Sequence, residues 1–143
     1  MLYLTSDHGG FELKAKIKDF LSREKIDFVD LGPERFDPKD DYPEFAHRLA
    51  RAIKSGSDRG IIICRSGQGT AITVNRHSNI RAIVAFTPEM AEHGRADNDS
   101  NVLSLGADYL NADQASEIIK VWLATPFSGK QRHQKRIAQI DQP

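Results

Sequence analysis

Apolar positions along the chain change period repeatedly, from short apolar runs to stripes spaced three and four residues apart. Leu2-Tyr3-Leu4-Thr5 reads as a first strand running into Ser6-Asp7-His8-Gly9-Gly10. Phe11, Leu13, Ile17, Phe20 and Leu21 then fall on one face of a helix. Ile26 to Leu31 reads as a second strand closed by Gly32-Pro33. After the polar loop Asp40-Asp41-Tyr42-Pro43, a helical stripe carries Phe45, Leu49 and Ile53. Gly60-Ile61-Ile62-Ile63-Cys64 is a β-branched run that suits a strand buried on both faces, and a helix from about Gly69 to Arg76 follows it. Ile80 to Ala85 and Asn101 to Leu105 predict the fourth and fifth strands. Between them, Thr87-Pro88-Glu89 offers an N-cap and a proline at the first helical position. Ala115, Ile118, Ile119, Trp122 and Leu123 form the clearest stripe, and the basic stretch Lys130 to Arg136 predicts a last helix.

Strands alternating with helices define the α/β class. The expectation is one domain over residues 1–143, a three-layer αβα sandwich around a Rossmann-like, five-stranded parallel sheet. Ligands bind such sheets beyond the C-terminal strand ends, near the switch in strand order. Asp7 and His8 end the first strand, and Cys64 to Ser66 end the third, so both segments fall on that edge.

Composition narrows the function. Twenty basic and twenty acidic residues cancel, which removes the field expected of a nucleic-acid or anionic-membrane partner. No apolar run approaches the roughly 20 residues that span a bilayer, and the N-terminus lacks the pattern of a signal peptide. A cytoplasmic protein is expected. The chain has one cysteine and five histidines, so neither an intrachain disulfide nor a structural zinc site is expected. There is no Walker lysine and no GxGxxG pattern.

Cys64 is followed by Arg65-Ser66-Gly67-Gln68-Gly69-Thr70, a glycine-rich turn that opens a helix. The first N–H groups of a helix have no intrahelical partner and, with the helix dipole, point at one spot that favours an anion. The same field favours a thiolate. A base beside an oxyanion cradle is the arrangement of an enzyme, although free cysteine is also commonly an inert buried residue. Asp7 can equally cap an ordinary turn, and Asp97-Asn98-Asp99-Ser100-Asn101 has the composition of a solvated loop. That loop precedes the fifth strand, at the opposite sheet edge from Cys64, so Asp97 and Asn98 could reach such a site only in a neighbouring subunit. Arg132 and Arg136 are four apart on one helical face, spaced either for solvent or to clamp a dianion together.

Taken in order, SDHGGFELK at 6–14, DYP at 41–43, CRSGQG at 64–69, NR at 75–76, IRA at 80–82, NDSNVLSLG at 98–106 and RHQKR at 132–136 span essentially the whole chain. With these segments the chain resembles the family of type B ribose-5-phosphate isomerases and galactose-6-phosphate isomerases. The resemblance implies an aldose–ketose isomerase without metal or organic cofactor, favouring ribose 5-phosphate and ribulose 5-phosphate. It implies that Cys64 shuttles a proton between C2 and C1, that Ser66 contacts the reacting oxygens, and that the backbone of Gly67, Gly69 and Thr70 forms the anion hole. Asp7 and Tyr42 match residues at the substrate hydroxyls, and His8, Arg132 and Arg136 match phosphate-binding positions. Asn98 matches a substrate-binding residue from the partner subunit of a homodimer, with a tetramer as the alternative. The C-terminal helix, about 129–141, is then expected at the dimer interface.

Three positions depart from the family pattern. Asp97 stands where relatives usually carry a histidine that assists ring opening, Arg65 where they commonly have glycine, and Asp108 where many have an arginine near the phosphate. These departures keep two alternatives in view. One is the same reaction on allose or galactose 6-phosphate, or on a tetrose phosphate. The other is a non-catalytic sugar-phosphate-binding subunit of a heteromer.

Overall fold

In the computed structural model, which describes residues 1–142, the five predicted strands form one parallel sheet. The elements run β1 (Leu2–Ser6), α1 (Phe11–Arg23), β2 (Phe28–Asp30), α2 (Tyr42–Ala52), β3 (Arg59–Cys64), α3 (Gln68–Val74), β4 (Ala82–Val84), α4 (Pro88–Asn98), β5 (Val102–Gly106), α5 (Ala112–Ala124) and α6 (Gln131–Ile140). The strand order is β2-β1-β3-β5-β4. Connections leave β1 and β3 towards opposite sides of the sheet, so the switch in order lies between these two strands.

Side-chain alternation divides the core between two helical layers. Leu2, Leu4, Ile61, Ile63, Leu103 and Leu105 pack with Leu13, Ile17, Ile118 and Trp122 of α1 and α5. Ile62 and Val102 face the other way, against Leu49 of α2 and Val74 of α3. Register places Ile63 beside Leu105 and Cys64 beside Gly106. Cys64 and Ser104 therefore share the face of Ile62, beneath α3. The expected αβα sandwich is the observed one.

Three elements are shorter than the pattern suggests, each for a local reason. Ile26 gives its N–H to the Leu21 carbonyl (2.9 Å), completing the exit from α1, so β2 starts at Phe28. Ile80 hydrogen-bonds back to His77 (3.2 Å) and its buried side chain only plugs the core, so β4 starts at Ala82. α3 closes at Val74 because Asn75 turns its amide to the sheet edge. Asn75 accepts from Ala82 N–H (2.8 Å) and donates to Ala82 C=O (2.9 Å). The edge strand is thereby covered by a side chain in place of another strand. Thr87 caps α4 through Met90 N–H (3.3 Å), as its sequence implies.

Candidate active site

The end of β3 is tied to its neighbours by backbone bonds. Asp7 N–H donates to Ile63 C=O (3.2 Å), and Ala107 N–H donates to Cys64 C=O (2.9 Å). This fixes Asp7, Cys64 and Gly106 side by side on one edge. Gly67 has a φ of +76°, a left-handed conformation that turns the chain into α3. A Cβ there would also stand 3.1 Å from the Leu105 carbonyl carbon. The turn returns the Gly67 N–H to Cys64 Sγ at 3.1 Å. Cys64 is 5% exposed.

A second contact to Sγ comes from Thr70 Oγ1 at 3.3 Å. Thr70 Oγ1 lies 2.7 Å from Ser104 Oγ and 3.2 Å from Gly67 C=O, and Ser104 Oγ lies 2.7 Å from the same carbonyl. Thr70 and Ser104 are fully buried. The Thr70 hydroxyl is committed to this cluster, so its backbone N–H, with that of Gly69, is what it can offer a ligand. Ser66 accepts from Gln68 N–H (3.2 Å) in the same turn.

Asp7 acts as the cap of the short helical turn His8–Gly10, with Oδ1 accepting from Gly10 N–H at 3.0 Å. Burial pushes its carboxyl above the ordinary range, and the Gly10 bond opposes this. His8 is held by Asp40, whose Oδ1 lies 2.6 Å from Nδ1 and also accepts the His8 backbone N–H (3.0 Å). That pairing raises the His8 pKa above 6.5. With Nδ1 occupied, Nε2 is the nitrogen left to meet a ligand. Asp7, His8 and Asp40 bring potential metal-ligand atoms within 4.8 Å of one another. Two of these groups, His8 Nδ1 and Asp40 Oδ1, are joined by the 2.6 Å hydrogen bond. A groove of about 400 Å³ opens beside His8 and Arg65. On its rim Arg65 and Asp108 form an exposed ion pair at 3.7 Å, so the carboxylate that replaces the expected arginine is turned to a cation.

Tyr42 opens α2, and its ring covers Gly69, where an added Cβ would meet ring carbon Cζ at 2.6 Å. The remaining predicted residues are elsewhere. α4 runs back against the strand direction, and Arg81 at the start of β4 donates to the Asn98 carbonyl (2.9 Å). Asp97 and Asn98 therefore lie at the edge where strands begin, opposite Cys64. α6 lies against that end of α4, with Ser128 N–H on Ala96 C=O (2.9 Å). Buried His133 links Asp97 (3.3 Å) to Arg132, whose Nε donates to its Nε2 (3.0 Å). Within one chain the site residues thus form two groups, Asp7, His8, Tyr42, Cys64 and the α3 turn at one edge, and Asp97, Asn98, Arg132 and Arg136 on α4 and α6.

Three supporting residues escaped the sequence reading. Asp40 carried a signal in the acidic run before Tyr42. Ser104 carried a sharper one, as the single hydroxyl in the otherwise apolar run Val102-Leu103-Ser104-Leu105. His133 had none beyond its place in a basic stretch.

The thiol under the glycine turn and the carboxylate-held histidine across the switch point form a polar site for a small molecule at the C-terminal strand edge. The family model described as ribose/galactose isomerase matches residues 2–140. The chain belongs to this family. It is 38% identical over 138 residues to a putative sugar phosphate isomerase of Bacillus subtilis, covering 96% of this chain and 92% of the relative. It is 36% identical over 135 residues to ribose-5-phosphate isomerase B of Escherichia coli, covering 94% and 89%. Among solved structures, a ribose 5-phosphate isomerase from Thermotoga maritima superimposes with a TM-score of 0.94 at 36% identity, covering 99% of this chain and 97% of the other. The Mycoplasma genitalium ribose-5-phosphate isomerase B with bound ribulose-5-phosphate gives 0.91 at 35% identity, covering 97% and 92%. No helix among the described residues is long and apolar enough to cross a membrane.

Proposed function

We propose that the protein interconverts ribose 5-phosphate and ribulose 5-phosphate, with Cys64 as the proton shuttle. The observation that carries this reading is the environment of Sγ, which accepts the Gly67 N–H at 3.1 Å at the mouth of the α3 turn. The thiolate takes the proton from C2 of the open-chain aldose, and charge moves onto the C1 oxygen to form an enediolate. The C2 hydroxyl proton passes to the C1 oxygen, and the thiol then returns its own proton to C1, giving the ketose with no net change in protons. First-turn N–H groups of Gly69 and Thr70 stabilise the developing oxyanion, an effect worth about 3 kcal/mol for a good donor. Ser66 holds the reacting oxygens, while Asp7 and Tyr42 hold the remaining hydroxyls. His8, with its proton kept by Asp40, meets the phosphate and orients the sugar. No step calls for a metal or an organic cofactor.

Asp97, Asn98, Arg132 and Arg136 enter from a second copy of the chain, which makes the active form a homodimer with α6 near the interface. The same-edge grouping of residues on α4 and α6 supports this arrangement. Asp97, tied to His133, accepts the C1 hydroxyl proton during ring opening, while solvent protonates the ring oxygen as its bond to C1 breaks.

The test is turnover of ribose 5-phosphate by the wild type and by Cys64→Ala, with allose and galactose 6-phosphates and a tetrose phosphate alongside. Pentose turnover lost in Cys64→Ala is the expected result. Turnover confined to another sugar keeps the chemistry and moves the substrate. Binding without turnover of any of them makes the chain a sugar-phosphate-binding subunit.

A further inference from the structure

The mechanism above needs Cys64 to be a base in one half-reaction and an acid in the next, in a site that stays packed throughout. The hydroxyls of Thr70 and Ser104 supply a physical means of doing so. Thr70 Oγ1 has one proton and three neighbours able to accept it, namely Cys64 Sγ at 3.3 Å, Ser104 Oγ at 2.7 Å and Gly67 C=O at 3.2 Å. Ser104 has one proton and two such neighbours, Thr70 Oγ1 and Gly67 C=O, each at 2.7 Å. Both side chains are fully buried, so water does not supply missing partners.

Among the arrangements that place every proton on an acceptor, two follow the charge on sulfur. With Cys64 as a thiol, S–H donates to Thr70, Thr70 donates to Ser104, and Ser104 donates to Gly67 C=O. With Cys64 as a thiolate, Ser104 donates to Thr70 and Thr70 donates to Sγ, which then accepts two hydrogen bonds, from Thr70 and from Gly67 N–H. Apart from the thiol proton itself, the arrangements differ only in the rotation of two hydroxyl hydrogens. No heavy atom moves, and no proton leaves either hydroxyl.

We propose that Thr70 and Ser104 form a reversible hydroxyl pair that keeps Cys64 hydrogen-bonded in both of its protonation states. They are positioning residues, acting on the substrate only through Sγ. A valine at 70 would keep the branched shape but would leave the thiolate with the single Gly67 donor, so the effect on sulfur is chemical rather than steric. The proposal rests on Cys64 being the working base, but its test does not require any substrate.

Cys64 is the only cysteine in the chain, so thiolate absorbance near 240 nm, blanked with Cys64→Ser, reports on it alone. The comparison is made at the pH where half of the wild-type thiol is ionised. There Thr70→Val should retain about one fifth or less of the wild-type thiolate, because a hydrogen bond to the charged form is lost. Thr70→Ser, which restores the hydroxyl, should return to within about twofold of the wild type, and Ser104→Ala should show a smaller loss in the same direction. The isomerase readout should follow, with kcat reduced in Thr70→Val and KM little changed. An unchanged thiolate titration in folded Thr70→Val would overturn the proposal. So would failure of serine to rescue it while the fold, followed by circular dichroism, is intact. A normal titration shift in a protein that turns over no sugar would leave the hydroxyl pair standing and remove the isomerase reading instead.

Discussion

Gly69→Ala separates the site from the fold. An added Cβ would stand 2.6 Å from Tyr42 Cζ, 2.8 Å from Cε2 and 3.0 Å from Oη. Carbon atoms in contact settle at about 3.5–4.0 Å, so the ring must withdraw by roughly 1 Å. Tyr42 is 39% exposed, and the ring can swing towards solvent without opening the core. Alanine is also the better helix former, favoured over glycine by about 0.5–1 kcal/mol within a helix. The melting temperature should therefore hold or rise slightly. Activity should behave differently, since a displacement of about 1 Å at a positioning residue can cost on the order of 100-fold. We expect kcat/KM for ribose 5-phosphate to fall by about 10- to 100-fold. The decisive assay is a double-mutant cycle with Tyr42→Ala. Once the ring is gone, Gly69→Ala should cost little more. Wild-type activity in Gly69→Ala would refute a role for Tyr42 at the substrate, and a loss that persists without the ring would show the methyl acting on the substrate directly.

Other consequences can be measured separately. Asp40 raises the His8 pKa, so protonated His8 persists above pH 6.5 and is lost as pH rises through the raised value. In Asp40→Asn the His8 Cε1–H titration should move back towards 6.5, and KM for the sugar phosphate should begin to climb at lower pH than in the wild type; identical titrations would contradict this. Asp58 accepts hydrogen bonds from Lys54 and Ser55 N–H (both 2.9 Å) and the Met1 amino group (3.1 Å), which hold its carboxyl well below the usual range. Asp58→Ala should cost about 1–3 kcal/mol in urea unfolding at pH 7, a gap that is constant at neutral pH and shrinks below the ordinary value of 3.8. Mixing inactive Cys64→Ala with inactive Asn98→Ala should recover about a quarter of wild-type activity through heterodimers that carry one intact site. No recovery, with heterodimers demonstrated by differential tagging, would place Asn98 outside the site.

What the sequence showed and what it hid follow from different physics. The core strand Ile61-Ile62-Ile63 and the stripe of Ile118, Ile119 and Trp122 were legible because burial dictates side-chain type directly. The edge segments around Ile26 and Ile80 were over-extended, since apolar residues at helix exits and turns have the same composition as a strand. At the site, Cys64 and the Gly67 turn stood out because a backbone constraint and a nucleophile coincide. The departures at Arg65 and Asp108 are separate in sequence, yet their side chains face each other at 3.7 Å. Asp40 and Ser104 were hidden because their importance lies in what they touch, 32 and 34 residues away in sequence from His8 and Thr70.

In the proposed reaction Cys64 moves the proton between C2 and C1. Ribulose 5-phosphate incubated with the protein in deuterium oxide reports on that transfer, with exchange at C1 followed by proton NMR. A thiol that carries the substrate proton exchanges it with solvent, so wild-type protein should introduce deuterium at C1 of the ketose and C2 of the aldose. Cys64→Ala, folded and still binding the sugar phosphate, should introduce none. Exchange by Cys64→Ala at the wild-type rate would show that another group is the base.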